Sequence, residues 1–442
     1  MSPPLDRIQG DERLPESADV VVIGGGVIGV SAAYHLAKKG HSVALVEKGH
    51  VGCEQSSRNW GWCRQQGRAR AEIPLAREAL RLWEEMQADA GQDAGFRRTG
   101  VLFLTKNPAE LAAWEKWAEI ARDMQVHSTV LTPAEVQERL PGNADTWVGG
   151  LHTPSDGRAE PSMAVPALAA AARKHGVTIH QGCAARGLEL AGGRVGGVVT
   201  EKGTIRTSSV LLAGGAWSSL FCRRHGIDLP VGLVNATACR TTPGPDITTG
   251  ALGTDFFCIR KRLDGGFTLA LRGRGTVDFT PDLIRYARTF LPTYRQRRKG
   301  LKIALGKPFL DQLLRGTNWP LDRPSPFEAE RVRDPAPDMT LVEEALAALI
   351  TSNPDLKGIA IAEAWGGTID TTPDTIPVIS AVDTLPGFFL ATGFSGHGFG
   401  IGPGAGKLAA DIVTGDAPLI DPAAYAYERL IDGRPLAPVG LF

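Results

Sequence analysis

The chain has 442 residues with 48 Lys plus Arg against 48 Asp plus Glu, so no net field recruits nucleic acid or acidic lipid and partners must be sought locally. The length exceeds one compact core and predicts two domains, or one large domain with a substantial insertion. Six scattered cysteines (Cys53, Cys63, Cys183, Cys222, Cys239, Cys258) without a CxxC pair, and nine histidines without an HxH or HExxH pattern, argue against structural zinc.

The first residues are polar, and no apolar run approaches a membrane span, so a cytoplasmic protein is expected. From Ala18 an apolar strand (Val20–Ile23) meets a glycine turn, a helix over Val27–Lys39 stopped by Gly40, and a second strand, Ser42–Glu47. Amphipathic helices follow at Ile73–Ala88 and Pro108–Gln125, and "TPAEVQERL" from Thr132 carries a capping signature. "EPSMAVPALAAAARKHGVTI" reads as a helix ending at Gly176 and feeding strand Val177–His180. A β-meander follows with turns at Gly192–Gly193 and Lys202–Gly203, then strand Ser209–Ala213. From about Phe221 to Glu363 the texture changes, with strands at Phe256–Arg262 and Gly266–Arg272 among helical and Pro-rich segments. The last stretch, "GFFLATGFSGHGFGIGPGAGKLAADIVTG", is strand, glycine loop, helix.

The first turn, "VVVIGGGVIGV", places Gly24, Gly26 and Gly29 in a G-x-G-x-x-G array between a strand and a helix. The first glycine permits the turn, the second lets backbone approach a pyrophosphate and the third allows close helix–strand packing, while the amides around Val27 and Ile28 face the phosphates. Glu47, eighteen residues after Gly29, ends the second strand where a carboxylate accepts from a ribose 2′-hydroxyl, with Lys48 beside it. NAD and FAD both use such a unit.

Four segments in order resemble the FAD-dependent D-amino-acid oxidase superfamily, in its glycine oxidase, sarcosine oxidase and opine oxidase-like branch. They are the N-terminal unit, "SSRNWGWCR" (Ser56–Arg64), "VLLAGGAWS" (Val210–Ser218) and "TPDTIPVI … GFFLATGFSGHGFGIGPGAGKLAADIV". The resemblance implies an α/β, Rossmann-like, glutathione-reductase-like FAD domain joined to an α+β substrate domain with an antiparallel sheet and helices. It divides the chain into FAD segments 1–95, 156–220 and 364–442 and substrate segments 96–155 and 221–363. It further implies that Ser56, Ser57, Asn59, Trp60 and Gly61 border the flavin, with Ala213, Gly214 and Trp217 beside it. Gly396, His397, Gly398, Phe399 and Gly400 would turn amides toward the flavin edge where negative charge develops. Gly367 stands where some relatives carry a flavin-bonding cysteine, so a non-covalent FAD is expected.

In that family hydride passes from a carbon next to an amine to flavin N5 and the imine hydrolyses, so positioning matters more than acid–base groups. The carboxylate-binding Arg of the family is replaced in "WGGTIDTTPD" by Ile369 and Asp370, and its oxygen-associated lysine aligns loosely with Thr268. Substitute cations are Arg58, Arg64, Arg260 and Arg272. Asp370 is read either as a partner for a cationic amine or as a loop-capping residue. Trp60, Trp62 and Trp365 either wall a pocket or pack beneath the flavin domain, and His397 either meets the ring or substrate or serves its loop. The run Tyr294–Gly300 is a docking segment for a partner or membrane, or a solvated helix face. The leading expectation is oxidation of the C–N bond of an amino acid or amine, with oxygen or a quinone or redox partner as acceptor, in a homo- or hetero-oligomer. The alternatives are a 2-hydroxy acid or polyol dehydrogenase, and a flavin subunit docking through Asp282–Asp338.

Overall fold

Val20–Ile23 is apolar on both faces, the pattern of a strand covered on each side in a parallel sheet. The computed structural model describes residues 3–436 and 438; residues 1–2, 437 and 439–442, at the outer ends of the first and last expected segments, lie outside the described residues. The elements that build the site are β1 (Val20–Ile23), α1 (Val27–Lys38), β2 (Val43–Val46), α2 (Gln55–Arg58), α3 (Ile73–Ala90), α4 (Pro161–Lys174), β3 (Thr178–His180), β4 (Val210–Leu212), β5 (Gly232–Thr241), α5 (Ala287–Arg297), β6 (Ile361–Thr371), β7 (Val378–Ala381), β8 (Phe388–Thr392) and α6 (Gly398–Thr414). Six strands form one sheet in the order β7-β8-β4-β1-β2-β3, parallel except for the β7–β8 hairpin. The central pair β1 and β4 is therefore flanked by a strand from the start of the chain and one from its end.

The expected meander is present as Ala185–Ala191, Arg194–Thr200 and Gly203–Arg206, with positive φ at Gly192, Gly193 and Gly203 where the turns were read. The capping box at Thr132 and Glu135 likewise opens the helix Pro133–Arg139. The second large sheet has ten strands, and β5, near one end of the strand order, is paired antiparallel to β6 along its whole length. It is mixed rather than purely antiparallel. Val101–Thr105 runs parallel to Ala251–Gly253, and Gly275–Asp278 parallel to Leu301–Ala304. Both pairs join strands separated by a long crossover, and only a short hairpin connection would oblige them to run antiparallel.

Four glycines of α6 bring the two ends of the chain together. A Cβ on Gly402 would lie 2.6 Å from Val27 Cγ2, and one on Gly406 would overlap Ser31, so α6 sits directly on α1. On the facing side a Cβ on Gly400 would lie 2.7 Å from Trp62 O and one on Gly404 2.7 Å from Leu75 O, which seats α6 against α3 and the Trp62 strand. Trp83 Nε1 of α3 donates to Gly400 O at 3.0 Å and locks this contact. Each glycine costs a helix about 1 kcal/mol relative to alanine, so this helix is held by packing and not by propensity. Gly406→Ala should therefore lose about 1–3 kcal/mol in urea unfolding, against the gain the same change gives in an open helix.

Candidate active site

The β1–α1 turn and the α6 loop border the same crevice, of about 160 Å³, which adjoins a cavity of about 1420 Å³ walled by β5 and β6 of the ten-stranded sheet, α5 and the tryptophan loop. Gln55, Asn59, Thr368, Gly396 and Phe399 line both and form the junction. Gly24, Gly26, Val27, Ile28, Glu47, Lys48, Ser56, Asn59, Ala213, Gly214, Trp217, Gly396, Gly398 and Phe399 border the crevice. Gly24 has φ +112, and a Cβ there would overlap Ala213 O. Gly29 lies off the crevice, where a Cβ would overlap Gly24 O, so it serves close packing.

The polar groups around the turn are positioned by one another. Ser56 Oγ accepts from Val27 N at 3.0 Å at the mouth of α1. Glu47 accepts from Gly25 N and Gly49 N, both at 2.7 Å, and burial pushes its carboxyl up against the opposing pull of Lys48 and those amides. Lys48 donates to Glu54 at 2.8 Å and lies 4.1 Å over the Trp217 ring, whose Nε1 donates to Glu54 in turn.

Several sequence candidates stand elsewhere. Ser57 is buried off both cavities because its Oγ donates to Glu54 O within the α2 turn. Gly61 also lies off them; its φ of +76 lets the chain pass Ala159 O, onto which a Cβ would fall. Arg260 is fully buried off the cavity wall, held by Glu160 at 2.6 Å, Trp60 O at 2.7 Å and Thr268 Oγ1 at 2.9 Å, so both Arg260 and Thr268 support Trp60 from behind. Asp370 Oδ2 accepts from Gly393 N at 2.6 Å and Thr392 Oγ1 at 3.2 Å; it borders the crevice and ties β6 to the end of β8, the loop-holding role. Trp365 is buried and donates to Arg58 O, while Arg58 pairs with Asp334 at 2.7 Å. Burial pushes the Cys63 thiol well up, which leaves it inert.

The large cavity keeps Trp60, Trp62, Arg64, Arg272, Gly367, Ile369, His397 and Gly400 on its wall. A Cβ on Gly367 would lie 2.6 Å from Gln55 Oε1. Trp60 and Trp62 meet edge to face at 5.4 Å, and Arg64 and Arg272 both lie over Phe103, at 5.6 and 5.9 Å from its centroid. At one end Arg64, Arg68, Glu72 and His397 cluster. Arg68 is buried, with neither Nε nor Nη1 hydrogen-bonded, and burial lowers its pKa. Burial pushes the Glu72 carboxyl up, but His397, Arg68 and Arg64 together bring it below its ordinary value. Arg68 and Glu72 escaped the sequence reading; their only signal is the four-residue spacing in "RARAE" just after the tryptophan loop.

His397 Nδ1 lies 3.3 Å from Glu72 Oε1. An ionised carboxylate only accepts, so Nδ1 carries the proton and Nε2 is left as an acceptor. Burial first, and the Arg68 charge second, pull the imidazole down to about 4. The crevice thus combines a glycine turn at a helix N-terminus with a second glycine loop at the junction with the cavity, an arrangement that can accept a phosphate group.

A dinucleotide crevice that adjoins a large, partly charged cavity is the arrangement of a cofactor-dependent oxidoreductase. Residues 19–412 match the family described as DAO, FAD dependent oxidoreductase, and the chain belongs to that family. FAD is the cofactor of this family. L-amino acid deaminase from Proteus myxofaciens, solved in complex with anthranilate, is 30% identical with a TM-score of 0.93, covering 97% of each chain. Glycine oxidase of Pseudomonas putida is 27% identical over 93% of this chain and 99% of its own. Human mitochondrial sarcosine dehydrogenase is 26% identical over 95% of this chain and 42% of its own, so the chain spans less than half the length of that relative. Among the described residues no helix is long and apolar enough to cross a membrane, and no group of three or more His, Cys, Asp or Glu is placed to hold a metal ion.

Because His397 sits below the imidazole value of an unfolded chain, its contribution is complete above about pH 6.5 and is lost as pH falls toward 4. Replacing His397 by Gln should remove about 2 kcal/mol of the stability loss between pH 7 and pH 5, measured by urea unfolding at both values.

Proposed function

We propose that the protein oxidises the C–N bond of an amino acid or a related amine carrying an α-carboxylate. The observation that carries this reading is Arg68, a buried guanidinium with unmet donors on the wall of the large cavity, with Arg64 beside it. A buried cation with unused N–H groups is completed by an anionic ligand, and a carboxylate matches the guanidinium fork. This pair takes the role that Ile369 and Asp370 leave vacant on β6.

Gly24, Gly26, Val27, Ile28 and Ser56 would hold the pyrophosphate, Glu47 and Lys48 the ribose end, and Asn59, Gly396, Gly398 and Phe399 the redox ring. The bound flavin supplies an acceptor for two electrons. Arg64 and Arg68 hold the substrate carboxylate, which fixes the amine-bearing carbon relative to the junction between crevice and cavity. Trp60 and Trp62 exclude water beside it. His397, neutral at pH 7 with Nε2 free to accept, takes a hydrogen bond from the substrate nitrogen and helps hold it there. The substrate loses C–H and N–H hydrogens as its C=N bond forms, and water then cleaves the imine to a carbonyl compound and the free amine or ammonia.

Anaerobic mixing of the FAD-loaded protein with L- and D-amino acids, N-methyl amino acids and 2-hydroxy acids should bleach the flavin with an amine but no hydroxy acid. Bleaching by hydroxy acids alone would overturn the reading. Arg68→Gln should raise the KM of the reactive amine roughly 100-fold or more with flavin content unchanged, as expected for a lost charge-assisted carboxylate contact.

A further inference from the structure

Arg297, the last residue of α5, lines the large cavity and is half-buried. Among the described residues its guanidinium has no ion pair and no side-chain hydrogen bond; burial lowers its pKa, and the charge that acts on it is Arg272, of the same sign. Most acids on this wall are already matched: Asp282 with Arg223, Glu328 with Arg186 at 2.9 Å, Asp334 with Arg58 at 2.7 Å and Glu330 with Arg333 at 3.3 Å. Asp278 is hydrogen-bonded to Asn235, and Asp311, which has no ion pair, is exposed. Arg272 itself is held by Glu110 at 2.7 Å, so that carboxylate is spent on it.

Phe103 links this cation to the deep arginine cluster. Arg64 lies over its ring at 5.6 Å and Arg272 at 5.9 Å, so one wall carries guanidinium groups from Arg68 through Arg64 and Arg272 to Arg297. Among the described residues three arginines on that wall, Arg68, Arg297 and Arg315, have donors without partners; Glu330 and Asp282 lie near enough to act on Arg315, whereas the charge acting on Arg297 is a second cation, and one α-carboxylate completes only Arg68. A desolvated cation that faces another cation is stabilised when an anion fills the space between them.

We infer that the substrate is a dicarboxylate amine, its α-carboxylate on Arg64 and Arg68 and its second carboxylate on Arg297. This inference rests on the proposed amine oxidation and extends it to a substrate class. The second acid group stands either on the amino acid side chain or on an N-carboxyalkyl substituent. Both have the same two charges, and the two sources differ in which bond to nitrogen is oxidised.

Binding of glutarate and of pentanoate to the FAD-loaded protein, two ligands of equal chain length that differ by one carboxylate, tests this directly by isothermal calorimetry. Glutarate should bind at least about tenfold more tightly, a preference that shrinks as salt is raised. Arg297→Gln should abolish most of it, leave pentanoate affinity within about twofold and leave flavin content and melting temperature unchanged. Equal affinities in the unmodified protein, or a preference that survives Arg297→Gln, would overturn the dicarboxylate assignment while leaving amine oxidation intact. Failure of both ligands to bind would instead overturn the carboxylate anchor itself, and the present inference with it. Anaerobic bleaching by glutamate, set against bleaching by N-carboxymethyl-alanine, separates the two sources; bleaching by neither, with monocarboxylate amines reactive, would also overturn the assignment.

Discussion

The contact of α1 with α6 is the constraint on which the rest of the molecule depends. Val27 and Ser31 press against Gly402 and Gly406 with no room for a methyl group, so two helices more than 350 residues apart begin at the same crevice. Their N-terminal ends both face this region, one at the first glycine turn and the other at the junction with the large cavity. Gly400 and Gly404 extend the arrangement to α3 and the Trp62 strand, which places the tryptophan loop and the arginines that follow it on the cavity wall. A helix so rich in glycine is a poor helix on its own, and its stability is borrowed from these neighbours.

The electrostatics of the cavity follow from the same packing. Arg64, Arg68 and Glu72 leave the tryptophan loop in one short run, and α6 delivers His397 to them from the opposite end of the chain. Each group in this cluster is altered by its surroundings: burial, aided by Arg68, holds the imidazole neutral, and the imidazole and both arginines keep Glu72 ionised despite burial. The result is an acceptor nitrogen beside guanidinium donors, which suits a ligand that presents a carboxylate and an amine on adjacent positions.

The fold was legible in the sequence because its signals are local. The glycine array, the alternating strands, the meander turns and the capping box at Thr132 each depend on residues within a few positions of one another, and each is found within a residue or two of where it was read. Several crevice glycines were equally readable, since close backbone approach requires glycine whatever lies around it, whereas Gly29, Ser57 and Gly61 lie off the crevice. The cavity was harder. Arg260 and Arg272 share one β-ladder neighbourhood in sequence terms, yet Glu160 and Trp60 draw one behind the wall while the other faces in. Asp370 alternates away from the cavity through the pleat of β6, and nothing in "TIDTTPD" says which face is which. Arg68, Glu72 and Arg297 look like ordinary surface charges on amphipathic segments; only the tertiary arrangement desolvates them.

The crevice shared by the first glycine turn and the α6 loop also bears on events during synthesis. The first glycine turn emerges early but has no partner for its helix and no second loop to close the crevice. Until α6 has left the ribosome, more than 400 residues into the chain, a growing polypeptide has only part of the crevice wall. The crevice therefore takes its full shape only once α6 has packed on α1, and any ligand that binds it stabilises only chains that include that helix.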